Sequence, residues 1–97
     1  RQSADPSPEL KRVGNSSKTV EVGDDIELEV SKTGLKESQI KWTIGNTNLL
    51  RFEDGDNYGS EVELEAKRTG TTTVTVQNLH TGGKLVYTVK IVPDYDD

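Results

Sequence analysis

The sequence predicts an all-β fold, an antiparallel β-sandwich of about seven short strands. Three observations lead to this prediction: apolar residues recur at every second position, turn residues interrupt them at intervals of roughly ten residues, and no segment shows the apolar period of a helix. The chain has 97 residues, which suits one domain of this kind. Only 30% of the residues are hydrophobic, so their strict alternation must build the whole core.

Each predicted strand is a run of alternating apolar and polar residues that ends at a polar or glycine-containing turn. The runs cover residues 20–22, 26–30, 40–44, 49–52, 62–66, 71–77 and 85–91. Trp42 shares the parity of Ile40 and Ile44, so we predict that it fills a large part of the core and that its N–H needs a partner. Gly23 stands in the first turn, where a positive φ suits glycine.

The two ends of the chain differ in composition from the middle. Residues 1–18 contain two prolines, a glycine and several serines without an apolar period, and we predict that they form a linker. The sandwich domain is predicted at 19–93, and 94–97 is predicted to be a disordered acidic tail. The chain opens without a signal-peptide pattern, so we expect a domain cut from a longer protein, or one whose leader has been removed.

Composition excludes several kinds of partner and site. The chain has no cysteine, which excludes disulfides, thiolate metal sites and thiol nucleophiles. Its formal net charge of −5 disfavours a nucleic-acid partner, because phosphates would be repelled. No run approaches the ~18 apolar residues of a membrane span, so no membrane partner is expected.

Several segments, in this order and at this spacing, resemble the group 2 bacterial immunoglobulin-like domains. The segment 20–28, Val-Glu-Val-Gly-Asp-Asp-Ile-Glu-Leu, is similar to the family's opening motif V-x-V-G-x-x-x-x-L. Trp42 matches its strand-C tryptophan, and 48–50 resembles the short segment after it. The segment 62–76 resembles its most diagnostic stretch, an alanine and a basic residue followed by Gly-Thr and alternating threonines. The resemblance covers about residues 19 to 92.

The resemblance implies an immunoglobulin-like sandwich and a setting among tandem domains. Domains of this family occur in adhesins, cell-wall enzymes, S-layer-like proteins and phage structural proteins. The sequence departs from the family at residues 45–48, where Gly-Asn-Thr-Asn stands in place of a Ser/Asn-Pro pair, and its loop at 53–60 is longer than usual. Because of these departures, the resemblance does not extend to a function carried by these loops.

An immunoglobulin-like arrangement would give the domain two outer faces of different chemistry. Strands A, B, E and D would form one sheet, and its outward positions would be Glu21, Glu27, Glu29, Glu61, Glu63 and Glu65. The other sheet would present Lys41, Thr43, Thr73, Thr75, Thr88 and Lys90. Like charges in cross-strand register destabilise a sheet. The acidic face is interpreted either as a solvated surface or as one that docks a basic partner or gathers divalent cations.

The 53–60 loop is the candidate metal site. Asp54, Asp56 and Asn57 offer oxygen atoms that could bind calcium in a loose site, which would be the only cofactor. An EF-hand is rejected, because Tyr58 occupies a position that should supply an oxygen and Glu65 lies in a predicted strand. Acidic turns are also common without any metal.

No residue pattern indicates catalysis. His80 is the single histidine and sits at a predicted hairpin tip, where solvent prevents the tuning of its pKa and the exclusion of water. The paired glutamates project from open sheet rather than from a cleft. Tyr58 is the one aromatic residue of the domain that looks exposed, which makes a poor platform for stacking sugars. We expect a protein that is not an enzyme.

The leading hypothesis is a non-catalytic structural or interaction module of a larger bacterial surface or secreted protein. It would act as a spacer or display domain for adhesion or for an attached enzyme, with neighbouring domains of the same polypeptide as partners and as a monomer in isolation. One alternative is direct binding of a host or cell-wall protein, or of calcium, through the 53–60 loop and the acidic face. Another is a phage virion decoration or tail domain. The expected location is extracellular or at the cell surface, with the virion as the alternative.

Overall fold

The computed structural model describes residues 9–93, which form eight strands and one short 3-10 helix. The strands are β1 Glu9–Arg12, β2 Ser17–Glu21, β3 Asp25–Thr33, β4 Ile40–Ile44, β5 Leu50–Phe52, β6 Glu61–Ala66, β7 Gly70–Asn78 and β8 Lys84–Val92. The 3-10 helix, Glu37–Gln39, leads into β4. No helix within 9–93 is long and apolar enough to cross a membrane.

The strands form two four-stranded sheets that pack face to face. The first sheet has the order β1-β3-β6-β5, and the second has the order β2-β8-β7-β4. In immunoglobulin letters these orders are A-B-E-D and, opposite, G-F-C with an additional strand beside G. The predicted immunoglobulin-like sandwich is therefore confirmed, with eight strands instead of about seven.

The added strand changes the predicted boundary of the domain. The strand β1 and the start of β2 lie inside the segment 1–18 that was predicted to be a linker, so this part of the prediction is wrong. The sequence of β1, Glu-Leu-Lys-Arg, contains one apolar residue and shows no alternation, and its structure depends on pairing with β3. Residues 1–8 of the predicted linker and the predicted tail at 94–97 lie outside the described residues.

The chain changes sheets between β1 and β2 without reversing direction. Gly14 lies between the two strands with φ 78°, a conformation that glycine adopts readily. The strand β1 pairs antiparallel with β3, and β2 then pairs parallel with β8, the single parallel pair within residues 9–93. Arg12 at the end of β1 contacts β8 in the other sheet. Its Nη2 donates to the Val86 carbonyl oxygen at 2.9 Å, and its guanidinium lies 5.3 Å from the Tyr87 ring centroid.

The core lies between the two sheets and follows the period-two pattern. The fully enclosed side chains include Trp42 and Tyr87, whose ring centroids are 5.8 Å apart. The buried apolar residues are Ile26, Leu28, Val30, Leu35, Ile40, Trp42, Ile44, Leu50, Val62, Leu64, Ala66, Val74, Val76, Tyr87, Val89 and Ile91. Their outward neighbours are mainly threonine, lysine and glutamate, so burial alternates along β3, β6, β7 and β8.

Candidate functional site

The outward side of the first sheet is acidic, as predicted. Across β3 and β6 the register opposes Asp25 to Glu65, Glu27 to Glu63 and Glu29 to Glu61. All of these side chains point away from the core, because their neighbours in each strand are buried. We call these six residues the acidic face. Three like-charged pairs stand directly opposite one another, which costs a sheet stability.

Glu21 was predicted to share this face, and that prediction is wrong. It lies on β2, which belongs to the second sheet, and its register partner is Val92. The physical reason is the crossing between β1 and β2: the alternation places Glu21 outward correctly, but it does not reveal which sheet the strand joins.

Basic residues neutralise only one edge of the acidic face. Arg51 on β5 lies beside Glu65, with its Nη2 at 2.6 Å from the carboxylate oxygen Oε1. The second ion pair among the described residues joins Lys32 to Glu37 at 3.4 Å. The four central glutamates, Glu27, Glu29, Glu61 and Glu63, therefore have no lysine or arginine at ion-pair distance within residues 9–93.

Two carboxyl groups in this region have raised pKa values, Glu61 through its carboxylate neighbours and Glu53 first through desolvation. The pKa of Glu61 lies above its ordinary value, first because its carboxyl shares a hydrogen bond with Glu27 and then because of the charge on Glu27. The pKa of Glu53 is raised by desolvation, and then by the neighbouring charge of Asp25. One carboxylate oxygen of Glu53, Oε2, is enclosed without a hydrogen-bond partner. Protonation is therefore favoured at Glu61 within the acidic face and at Glu53 beside it.

Apart from Glu21 on β2, the outward side of the second sheet has the opposite chemistry. The strands β4, β7 and β8 contain no acidic residue. Their outward positions form cross-strand rows, such as Lys84–Gln77–Lys41 and Val86–Thr75–Thr43. The Lys/Thr face consists of Lys41, Thr43, Thr73, Thr75, Lys84, Thr88 and Lys90. The predicted contrast between the two outer faces is present, apart from the position of Glu21.

The 53–60 loop covers the outer edge of β4. The backbone N–H of Trp42 donates to the Asn57 carbonyl oxygen at 2.7 Å, and the Gly59 N–H donates to the Ile40 carbonyl oxygen at 2.9 Å. The predicted partner of the Trp42 indole is here too, because Nε1 donates to the Gly59 carbonyl oxygen at 2.7 Å. At the end of the loop, Val30 N–H donates to the Ser60 carbonyl oxygen at 2.8 Å. The loop therefore ties the first sheet to the second.

The three predicted calcium ligands lie in this loop, and two of them already have structural partners. Asn57 Nδ2 donates to the Trp42 carbonyl oxygen at 3.1 Å, and Asp56 Oδ1 accepts from the Tyr58 N–H at 3.0 Å. Asp54 and Asp56 line a surface depression of about 90 Å³ together with Glu61 and Glu63 on β6. Among residues 9–93, no three histidine, cysteine, aspartate or glutamate side chains are grouped to hold a metal ion. Calcium binding at Asp54, Asp56 and Asn57 stays a prediction.

Glu37 is a structural residue of this loop that the sequence pattern did not reveal. Its Oε1 accepts from the Ser60 N–H at 2.8 Å, and its Oε2 lies 3.4 Å from Lys32 Nζ. The Ser60 N–H is the main reason why the pKa of Glu37 lies below its ordinary value. A Cβ at Gly59, which has φ 119°, would lie 2.9 Å from the same carboxylate oxygen. Glu37 sits between predicted strands, where no periodicity could single it out.

His80 lies exposed at the β7–β8 hairpin tip, where it was predicted. The turn is organised by the buried Asn78, whose Oδ1 accepts from the N–H groups of His80 and Thr81 at 2.9 and 3.2 Å. The described contact of His80 is thus through its backbone. Tyr58 is 42% exposed, as expected of the single candidate for sugar stacking.

A second concavity lies between the edges of β4 and β5. It has a volume of about 440 Å³, and its floor contains Ile44, Leu50 and Phe52. Lys67 at its rim donates to the Thr47 carbonyl oxygen at 3.2 Å. Arg51 at the same rim is paired with Glu65. Both basic side chains of this groove therefore already have partners within the domain.

Comparisons with known proteins identify the fold but no family. No family model and no curated protein matches the chain. Among solved structures, domains 4 and 5 of the S-layer protein SbsC match with a TM-score of 0.63 and 17% identity, covering 89% of this chain and 54% of that one. Domains 4–9 of SbsC match with a TM-score of 0.65 and 16% identity, covering 93% and 15%.

These similarities to solved structures concern the fold. The chain spans about half of the shorter SbsC structure and a smaller share of the longer one, so its counterpart there is part of a multidomain protein. The assignment to the group 2 bacterial immunoglobulin-like family stays a prediction. What the chain shares with these surface-layer domains is the β-sandwich fold.

Proposed function

We propose that this chain is a non-catalytic structural module, a spacer or display domain of a larger bacterial surface or secreted protein. The observation that supports this most directly is its likeness in fold to domains of the S-layer protein SbsC, which lie within multidomain chains. The 53–60 loop is consistent with the proposal, because Asn57 and Gly59 hydrogen-bond to β4 instead of lining a cleft.

The placement of the terminal strands suits a domain that bears load between neighbours. The strand β2 lies near the N-terminal end of the described residues, β8 is the last strand among them, and the two are parallel. Opposite pulls on the two ends would slide β2 along β8, so their hydrogen bonds resist together. These include Thr88 N–H to the Ser16 carbonyl oxygen at 2.8 Å and Val22 N–H to the Val92 carbonyl oxygen at 3.0 Å.

Single-molecule pulling tests this role, and the absence of native cysteine allows specific handles. One variant carries Asn15→Cys and Pro93→Cys, so that the force shears β2 against β8. A second carries Thr69→Cys and Pro93→Cys, so that the force peels apart β7 and β8 where Gly70 opposes Ile91. We expect a clearly larger rupture force for the first variant. Equal forces in the two geometries would contradict a load-bearing role.

Calcium binding by the 53–60 loop is a separate prediction with its own test. Calcium is added to millimolar concentration while backbone amide NMR shifts are recorded, with magnesium as a control for ionic strength. Shifts confined to Asp54, Asp56 and Asn57, and lost in Asp54→Asn, would support a site. If these three amides do not move, the loop site is rejected.

A further inference from the structure

The two outer faces carry complementary charged groups that form no ion pair within residues 9–93: the central carboxylates on the acidic face and the ammonium groups on the Lys/Thr face. The central glutamates of the acidic face have no cation at ion-pair distance within residues 9–93. Ionised carboxylates accept hydrogen bonds and donate none. On the Lys/Thr face, Lys41, Lys84 and Lys90 likewise form no ion pair within that range, and the threonine hydroxyls around them can donate.

We propose that the acidic face of one copy of this domain docks against the Lys/Thr face of a second copy. Ammonium and hydroxyl donors would then meet carboxylate acceptors across the contact, and the repulsion between Glu27 and Glu63 and between Glu29 and Glu61 would be offset. The two faces lie on opposite sides of the same sandwich. The contact is therefore heterologous, and each added copy leaves one acidic and one Lys/Thr face free for the next.

The size of the faces sets the strength of this contact. With strands about 4.8 Å apart and about 3.4 Å of rise per residue, a four-stranded face measures roughly 15 by 30 Å, or about 450 Å². Two such faces bury about 900 Å² in total, which is below the ~1,200 Å² of a stable complex. The net charge of −5 on each copy adds repulsion. We expect a dissociation constant on the order of 1 mM, so copies stay monomeric in dilute solution and associate where they are concentrated.

Sedimentation equilibrium of the 97-residue chain at about 1 mM protein and pH 7 tests this proposal, at low and at high salt. The key variant combines Glu29→Lys with Glu63→Lys, which alternates the signs along β3 and β6 and relieves the like-charge pairs without endangering the fold. A second variant, Lys84→Gln with Lys90→Gln, removes charge from the other face. The control, Asp96→Lys with Asp97→Lys, changes the net charge as much as the first variant but leaves every residue of the acidic face and of the Lys/Thr face in place.

We expect association of the wild-type chain and of the control that weakens about tenfold or more at high salt. We expect at least the same loss in each of the two face variants. A wild-type chain that is monomeric at 1 mM in both salts would overturn the proposal, and so would association that persists in the Glu29→Lys, Glu63→Lys variant. Binding of polylysine to the acidic face without any self-association would also overturn it, and would assign the face to a different basic partner.

Discussion

The two sheets share one core but differ in what they present to solvent. The second sheet alternates buried valines with threonines, which suit a strand and carry no charge. The first sheet alternates equally buried residues with glutamates that oppose one another across β3 and β6. The inward residues of both sheets form the shared core. Because the outward glutamates work against stability, a reason for their presence has to be sought outside folding.

A second contrast concerns two glutamates close to Ser60, one in contact with it and one next to it in sequence. Glu37 accepts a hydrogen bond from the Ser60 N–H and lies near Lys32, and its pKa is lowered. Glu61 shares a hydrogen bond with Glu27, and its pKa is raised. The residue type is the same and only the neighbours differ. At neutral pH the Glu37 carboxylate therefore stabilises the fold, whereas the Glu61 carboxylate destabilises it.

The largest expected effect comes from the shared core. Trp42→Ala removes the largest enclosed side chain and leaves a cavity, and we expect a loss of about 3–5 kcal/mol in the free energy of unfolding. Urea denaturation followed by circular dichroism measures this loss, because the variant lacks the single tryptophan. Val86→Ala, on the outer side of the same sheet and 46% exposed, is the matched control and should change stability by less than about 0.5 kcal/mol. Similar losses of unfolding free energy in both variants would mean that burial in the core is not the main source of stability.

The next effect concerns the loop that joins the two sheets. Gly59→Ala places a Cβ at φ 119° and 2.9 Å from Glu37 Oε1, and we expect a loss of about 1–3 kcal/mol in the same urea experiment. Gly55→Ala is the control, since it also has a positive φ, 75°, but meets nothing within 4 Å, and it should cost about 1 kcal/mol. If the two variants lose the same stability, the contact between Gly59 and Glu37 is not important to the junction of the sheets.

A smaller effect of opposite sign is expected at the acidic face. Glu61→Gln removes a charge that faces Glu29 directly and Glu27 diagonally, so the urea midpoint at pH 7 should rise. Glu65→Gln removes the same charge at the edge of the face, where it also breaks the ion pair with Arg51, and the midpoint should not rise there. A midpoint that falls for Glu61→Gln would mean that the like-charge pairs do not destabilise the sheet.

The sequence predicts the core far better than the parts that join the sheets. Alternation identified Ile26, Leu28 and Val30 as inward residues, because burial on one side of a strand follows a period of two. It did not identify β1, whose single apolar residue, Leu10, forms no pattern. It also left Glu21 on the wrong sheet, because parity says which way a side chain points but not which strand lies beside it.

The candidate site likewise depends on contacts between residues that are far apart in sequence, which local patterns do not predict. The need of the Trp42 N–H for a partner follows from its predicted burial, but the partner, the Gly59 carbonyl oxygen, is 17 residues away. The hydrogen bond that the Ser60 N–H donates to Glu37 spans 23 residues. Contacts of this kind depend on how loops cross the sandwich, and no local periodicity records them.

The smallest expected effect is the dependence of stability on pH. A raised pKa, as for Glu61, stabilises the fold most when the group is protonated, so its contribution is complete below the ordinary value of 4.5 and is lost as pH rises through the folded-state pKa. A lowered pKa, as for Glu37, contributes above 4.5 and is lost as pH falls through the folded-state pKa. The urea midpoint should therefore pass through a shallow maximum in mildly acidic solution.

Two variants separate the two limbs of this pH profile. Glu61→Gln should flatten the decline on the neutral side, because the group that releases its proton there is gone. Glu37→Gln should flatten the decline on the acidic side and lower the midpoint at neutral pH, because the charged partner of Ser60 and Lys32 is lost. If Glu61→Gln leaves the neutral limb unchanged, the stability of the first sheet does not depend on its crowded carboxylates, and the contrast between the two outer faces would be one of composition alone.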